Sequence, residues 1–127
     1  MAKMFVLLSH CLTEAQYKDA TNVLKVHSFV TLESTVWSNI PVDAENVSCF
    51  LEELQQCILK SAEENDFLLV QGDYGATVVM VNFAFKHKLI PVYATTQRRV
   101  NEIIVGNKVK SIRTFEHVRF RNYIKAS

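Results

Sequence analysis

Residues 71–77 read QGDYGAT and hold two of the three glycines in a chain of 127 residues. The stretch joins two apolar runs, DFLLV (66–70) and VVMVNFAF (78–85). Glycines three positions apart at such a junction, Gly72 and Gly75, let main chain approach a phosphate or a purine closely. Thr77 offers a hydroxyl, and Gln71 and Asp73 can hydrogen-bond a base or a ribose. A plainer reading has Gly72 making a tight turn and Asp73 capping the next helix, with nothing bound. Spacing alone leaves both open, because G-x-x-G is far less specific than a Walker or full dinucleotide fingerprint. Two further stretches carry comparable chemistry: Ser9-His10, with a hydroxyl and an imidazole, and Thr95, Thr96, Gln97, Arg98 and Arg99, with hydroxyls, a carboxamide and two guanidiniums. His117, Arg119 and Arg121, within EHVRFR, are a second possible cluster. No set of His, Cys, Asp and Glu has metal-ligand spacing, and no G-x-S-x-G or Cys–His pairing points to acyl transfer.

These residues need elements to position them. KMFVLLS (3–9) is short, apolar and β-rich, as expected of a central strand covered on both faces. Thr13 opens T-E-A-Q, a capping box for a helix over 13–26 whose buried face holds Tyr17, Ala20, Val23 and Leu24. SFVTL (28–32) is a second strand, and residues 33–43 read as a loop carrying the single tryptophan, Trp37. Asp43 can cap a helix over 44–64, with Val47, Phe50, Leu51, Leu54 and Ile58 at helical spacing. A third strand (66–71), a buried helix to about residue 88 and a fourth strand (89–95) complete an alternation that predicts a mainly parallel, Rossmann-like α/β sheet with flanking helices. In such a sheet ligands lie beyond the carboxyl ends of the strands, so the loops after the first, third and fourth strands are expected to converge on one rim. RRVNEIIV (98–105), a Gly106-Asn107 turn and KVKSIRTF (108–115) predict a C-terminal β-hairpin, and 117–124 is either one more strand or an irregular tail.

Composition narrows the classes. At 49% hydrophobic the chain is long enough for one domain with a core and too short for two. No apolar run approaches the roughly 20 residues that span a bilayer, and the start lacks a small-residue cleavage site, so a cytoplasmic protein is expected. Cys11, Cys49 and Cys57 are an odd set without C-x-x-C spacing, against a disulfide framework or a structural zinc site. The net charge of +1 hides a division. Residues 1–85 carry four lysines against 11 acidic residues, a net of −7, and residues 86–127 carry 10 Lys or Arg against two Glu, a net of +8. The basic third suits a polyanion, although lysines also keep strand edges soluble.

LLSHCLTEAQ at the start, WSNIP in the middle, VQGDYGATVVMVNFAF followed by LIPVYATT, and FEHVRFR near the end resemble a small family of CRISPR-associated proteins found with type III systems. The resemblance covers most of the chain. It implies a fold like the CRISPR-associated Rossmann-fold (CARF) domains and a ring nuclease that linearises cyclic tetra-adenylate. A homodimer would present each rim twice to that two-fold symmetric ring. No metal and no cofactor are implied. In the implied reaction a ribose 2′-oxygen attacks the neighbouring phosphorus and the 5′-oxygen leaves, giving a 2′,3′-cyclic phosphate. Arg98 or Arg99, helped by Ser9 and the N–H groups near Gly75, would hold the phosphate oxygens, with Thr95 and Thr96 on the same rim. His10 would be the general acid or base. Gln71, Asp73 and Tyr74 would read adenine or ribose, Tyr74 by stacking, and Trp37 is a further ligand-binding candidate.

Two other function classes fit the same sequence. One is a sensor or sponge that captures cyclic oligoadenylate without cleaving it, since catalysis by positioning leaves no motif. The other is a nucleic-acid-binding regulator that uses the basic hairpin and FEHVRFRNY, whose binding would weaken steeply with salt.

Overall fold

A computed structural model of the chain describes residues 2–32 and 35–125. The elements are β1 (Ala2–Leu7), α1 (Glu14–Asn22), β2 (Val26–Thr31), a single-turn α2 (Thr35–Ser38), α3 (Ser48–Leu59), β3 (Phe67–Val70), α4 (Tyr74–Lys86), β4 (Ile90–Val105) and β5 (Lys108–Asn122). They build a five-stranded sheet in the order β2-β1-β3-β4-β5. The first three pairings are parallel and β4–β5 is antiparallel, so the fold is mixed α/β.

β3 and the Met4–Leu7 part of β1 are apolar at every position because both faces are covered. Phe5, Leu7, Leu68 and Val70 point to one face and meet Leu51, Leu54 and Ile58 of α3 and Ala76, Met80 and Phe83 of α4. Met4, Val6, Leu69, Val92 and Ala94 point to the other, where α1 and Phe120 close a smaller core. Asp66 is the buried charge beneath β1. Its carboxylate accepts from the N–H groups of Lys3 (3.1 Å) and Glu63 (2.8 Å) and lies 3.4 Å from the Lys3 ammonium.

Several boundaries differ from the sequence expectation. The capping box forms, with Gln16 N–H donating to Thr13 Oγ1 and Thr13 N–H to Gln16 Oε1, but α1 ends at Asn22 rather than near 26. Lys25 at φ +60° takes a left-handed turn just beyond it and β2 starts two residues early; Tyr17 and Val23, expected on the buried face, are exposed. α3 begins at Ser48 rather than 44, because Asn46 Oδ1 accepts from Ser48 N–H (2.8 Å) and holds the preceding segment in a turn. Trp37 sits on the short α2 instead of a loop and is 3% exposed. The rest of that loop's start, Glu33 and Ser34, lies outside the described residues.

The largest difference concerns β4. There is no loop at 95–99: β4 runs without a break through Thr95, Thr96, Gln97, Arg98 and Arg99 to Val105, paired with β5 on both sides of one register shift that leaves Val118 unpaired between the Thr95–Arg119 and Thr96–His117 pairs. The 117–124 segment, left open as one more strand or an irregular tail, is strand as far as Asn122 and starts that pairing, since Val92 faces Asn122 and Ala94 faces Phe120. Gly106, at φ +64°, makes the tip by the positive φ that a two-residue hairpin turn requires.

Candidate functional site

The chain steps from β1 to β2 on one side and to β3 on the other, so the crevice of this sheet opens where the loops after β1 and β3 diverge. Leu7 pairs with Val70, and Gln71 N–H donates to the Leu7 carbonyl (3.1 Å), so Ser9-His10 and Gly72-Asp73 leave the sheet side by side. They then part to opposite faces, and two recesses result.

The first recess, about 580 Å3, lies on the α1 side. His10, Thr13, Ala15 and Gln16 form one wall and Thr96, Phe115, Glu116 and His117 the other. His117 is carried by β5 but is only 5% exposed, because it is clamped against α1: its Nε2 lies 2.7 Å from Asp19 Oδ2. An ionised carboxylate only accepts, so Nε2 carries the proton and Nδ1 is left with a lone pair in the neutral ring. Nδ1 is buried and has no hydrogen-bond partner. His10 is exposed, and its Nδ1 lies 2.8 Å from the Cys11 carbonyl. That oxygen also only accepts, so Nδ1–H is the donor and Nε2 is free to take a proton. Two imidazoles, one fixed by a carboxylate, thus line one recess beside the first turn of α1. The capping box claims only two of the orphan N–H groups there, and helix N-termini favour anions.

The second recess, about 350 Å3, lies on the α4 side and is lined by Gln71, Gly72, Tyr74, Thr77, Tyr93 and Tyr123. Most of its polar atoms have structural partners. Gln71 Oε1 accepts from Ala94 N–H (2.9 Å), completing the ladder where β3 has ended. Asp73 caps α4, its Oδ2 accepting from Ala76 N–H (3.0 Å). Tyr123 OH donates to the Val70 carbonyl (2.7 Å), and burial, then the neighbouring Tyr93 phenol, raises its pKa above the ordinary tyrosine value. Tyr74 is 92% exposed, and the Thr77 hydroxyl is buried without a partner.

The expected single rim is therefore divided. His10, Thr96 and His117 come together on the α1 side; Gln71, Gly72, Tyr74 and Thr77 come together on the α4 side. Along β4 side chains alternate, so Arg98 shares the face of Thr96 while Arg99 points the other way and pairs with Glu116 at 2.8 Å. Thr95 also points away, its hydroxyl donating to the Arg119 carbonyl (3.0 Å). Ser9 is exposed in the loop and lines neither recess. His117, Arg119 and Arg121 do not form a cluster. Arg121 donates to Tyr93 OH (3.1 Å) and lies over its ring, and Arg119 Nε donates to the Phe120 carbonyl (3.2 Å).

The glycine pair separates in the same way. A Cβ on Gly72 would come within 2.8 Å of the Trp37 indole, whose Nε1 donates to the Gln71 carbonyl (2.9 Å). Gly72 is small so that tryptophan can pack beneath it. Trp37 is thereby buried in the core and has no face to offer a ligand. A Cβ on Gly75 would meet only ordinary contacts, the nearest at 3.5 Å. Sequence reasoning missed Asp19, which is separated from His117 by 98 positions and looks in sequence like any surface residue of a helix. Among the described residues no three His, Cys, Asp or Glu are placed to hold a metal ion, and no helix is long and apolar enough to cross a membrane.

No solved structure matches this chain. The "Uncharacterized protein MJ1673" of Methanocaldococcus jannaschii is 45% identical over 126 residues, covering 97% of this chain and 98% of the relative. The family described as "Uncharacterized protein MJ1673 family" matches residues 2–121. On both grounds the chain belongs to the MJ1673 family.

Proposed function

We propose that the protein is a cytoplasmic ring nuclease of CARF-like fold that cleaves cyclic oligoadenylate, with its reaction centre in the recess between α1 and β5. The observation that carries this reading is the presence of His10 and the Asp19-bound His117 in one recess. Cleavage by an internal 2′-hydroxyl needs one group to take the 2′-OH proton and another to give a proton to the departing 5′-oxygen. Two imidazoles supply that pair without a metal. His10 is the catalytic base: its Nε2 accepts the 2′-OH proton as the 2′-oxygen bonds to phosphorus. His117, when it carries its second proton on the buried Nδ1, donates it as the P–O5′ bond breaks, a step that requires the bound ring to uncover that nitrogen. Asp19 is a positioning residue that sets the His117 tautomer and balances the imidazolium. Arg98, which follows Thr96 on the same face of β4 just outside the recess lining and has no ion pair among the described residues, reaches in to hold the phosphate oxygens.

The test is incubation with cyclic tetra-adenylate in EDTA and separation of the products. Linear products ending in 2′,3′-cyclic phosphate are expected. His10→Ala should lower single-turnover cleavage about 100- to 10,000-fold with ring binding retained. Asp19→Asn should lower cleavage and alter its pH profile, and Arg98→Ala should weaken binding while Arg99→Ala does not. An intact, tightly bound ring makes the protein a sponge and refutes catalysis. No ring binding, with salt-sensitive binding of long RNA, refutes the whole reading.

A further inference from the structure

Beyond Thr96 and Glu116, β4 and β5 leave the body of the protein and continue as a two-stranded ribbon. Every residue from Thr96 to Glu116 is exposed, so neither face of the ribbon is covered. An isolated two-stranded hairpin is marginal at best in water. This one is also unsuited to solvent. Val100, Ile103, Ile104, Val105, Val109, Ile112 and Phe115 are 38–79% exposed. They occur on both faces: the register places Val100, Ile104, Val109 and Phe115 on the α1 side and Ile103, Val105 and Ile112 on the other.

We propose that this ribbon is a dimerisation arm that lies across the body of a second copy of the same chain, the two copies exchanging arms reciprocally. Three observations select that occupant. First, residues 98–113 carry five Lys or Arg against one Glu, a net of +4, and the rest of the chain carries a net of −3, its negative charge concentrated in residues 1–85, so arm and body are complementary. Arms stacked on one another would instead bring like charges together. Second, ten residues from Thr96 to Val105 reach about 30 Å, close to the diameter of a body of this size. Third, the four apolar residues of one face, Val100, Ile104, Val109 and Phe115, expose roughly 450 Å2, so two exchanged arms and the surface they cover bury on the order of 1,800 Å2 in total, the area of a standard stable interface. A nucleic acid would satisfy the lysines and arginines but leave branched apolar side chains on both faces in water. The inference does not rest on the proposed reaction.

The test uses the full chain without nucleotide. Sedimentation equilibrium at low salt should give about 29 kDa, twice the 14.5 kDa of one chain. Zero-length cross-linking of a mixture of 14N and 15N protein should join Lys108 or Lys110 of one isotope to carboxylates of residues 1–85 of the other. Ile104→Lys with Val109→Lys, a cross-strand pair near the tip, should halve the mass with an unchanged far-UV spectrum. A second variant guards against misfolding of the first: replacing 100–113 by Gly-Asn closes the ribbon at the Arg99–Thr114 pair and should also be monomeric. A wild-type monomer at micromolar concentration, a dimer that survives in both variants, or cross-links confined to one isotope overturns the proposal. So does a monomer whose arm instead gives salt-sensitive binding to RNA.

Discussion

Gly72→Ala is the most direct test of why glycine stands in the loop after β3. The added methyl would sit 2.8 Å from Trp37 Cε2 and Nε1 and 2.9 Å from Cζ2, distances that real Cβ atoms do not tolerate. Neither side yields easily. Trp37 is enclosed by the larger core, and its Nε1 is bonded to the Gln71 carbonyl. Gln71 is held from three directions, since its N–H reaches Leu7 and its side chain reaches Ala94. φ at Gly72 is not in the left-handed region, so the cost is steric and not conformational. Overpacking of this kind costs about 1–3 kcal/mol, and stretching the indole hydrogen bond adds up to about 1 kcal/mol. A loss of about 2 kcal/mol is expected, or about 8 °C in Tm at roughly 4 °C per kcal/mol for a chain of this length. Urea unfolding followed by the fluorescence of Trp37, the single tryptophan, reads the site itself. Trp37→Phe removes the atoms that clash, so in that background, followed by circular dichroism, Gly72→Ala should cost less than about 0.5 kcal/mol. Gly75→Ala, in the first turn of α4 with only ordinary contacts, should stabilise by about 0.5 kcal/mol. Equal small effects at Gly72 and Gly75, or a full cost at Gly72 without the indole, would refute the packing explanation.

Asp66→Ala strips the partners from two part-buried N–H groups and leaves the Lys3 ammonium only the exposed Glu63 carboxylate at 3.9 Å, so urea unfolding should show a loss of about 3 kcal/mol. Tyr123 has a folded-state pKa raised above 10.0 by burial and by Tyr93, so its contribution is complete below about pH 10 and is lost as pH rises through the folded value. Tyr123→Phe, which deletes the bond to the Val70 carbonyl, should cost about 1 kcal/mol at neutral pH and flatten the alkaline fall in Tm.

What the sequence discloses about this molecule is what short-range physics decides. The T-E-A-Q box and the apolar spacing of Leu51, Leu54 and Ile58 are each contained within one turn or one helix and stand in the structure as expected, and Asp73, equally local, takes the plainer of its two readings as the cap of α4. The 95–99 segment could not be placed that way. Thr95 to Arg99 is polar at every position and therefore has no period of its own; it is a strand because TFEHVR (114–119), some twenty residues later, pairs with it. That pairing also decides the candidate site. By continuing β4 as a strand it assigns Arg98 to the α1 face and Arg99 to the opposite one, a distinction of one residue that no local pattern carries. It also delivers His117 to Asp19. A stronger expectation for an imidazole pair would have needed the β4–β5 register, because Asp19 and His117 become neighbours only once the long ribbon has been aligned. The chemistry of the recess is thus a consequence of the same hairpin whose far end stands uncovered. Changes confined to the Ile104–Val109 tip should leave the Asp19–His117 contact intact, whereas insertion of one residue between Thr96 and Ala94 should turn Thr96 and Arg98 away from it.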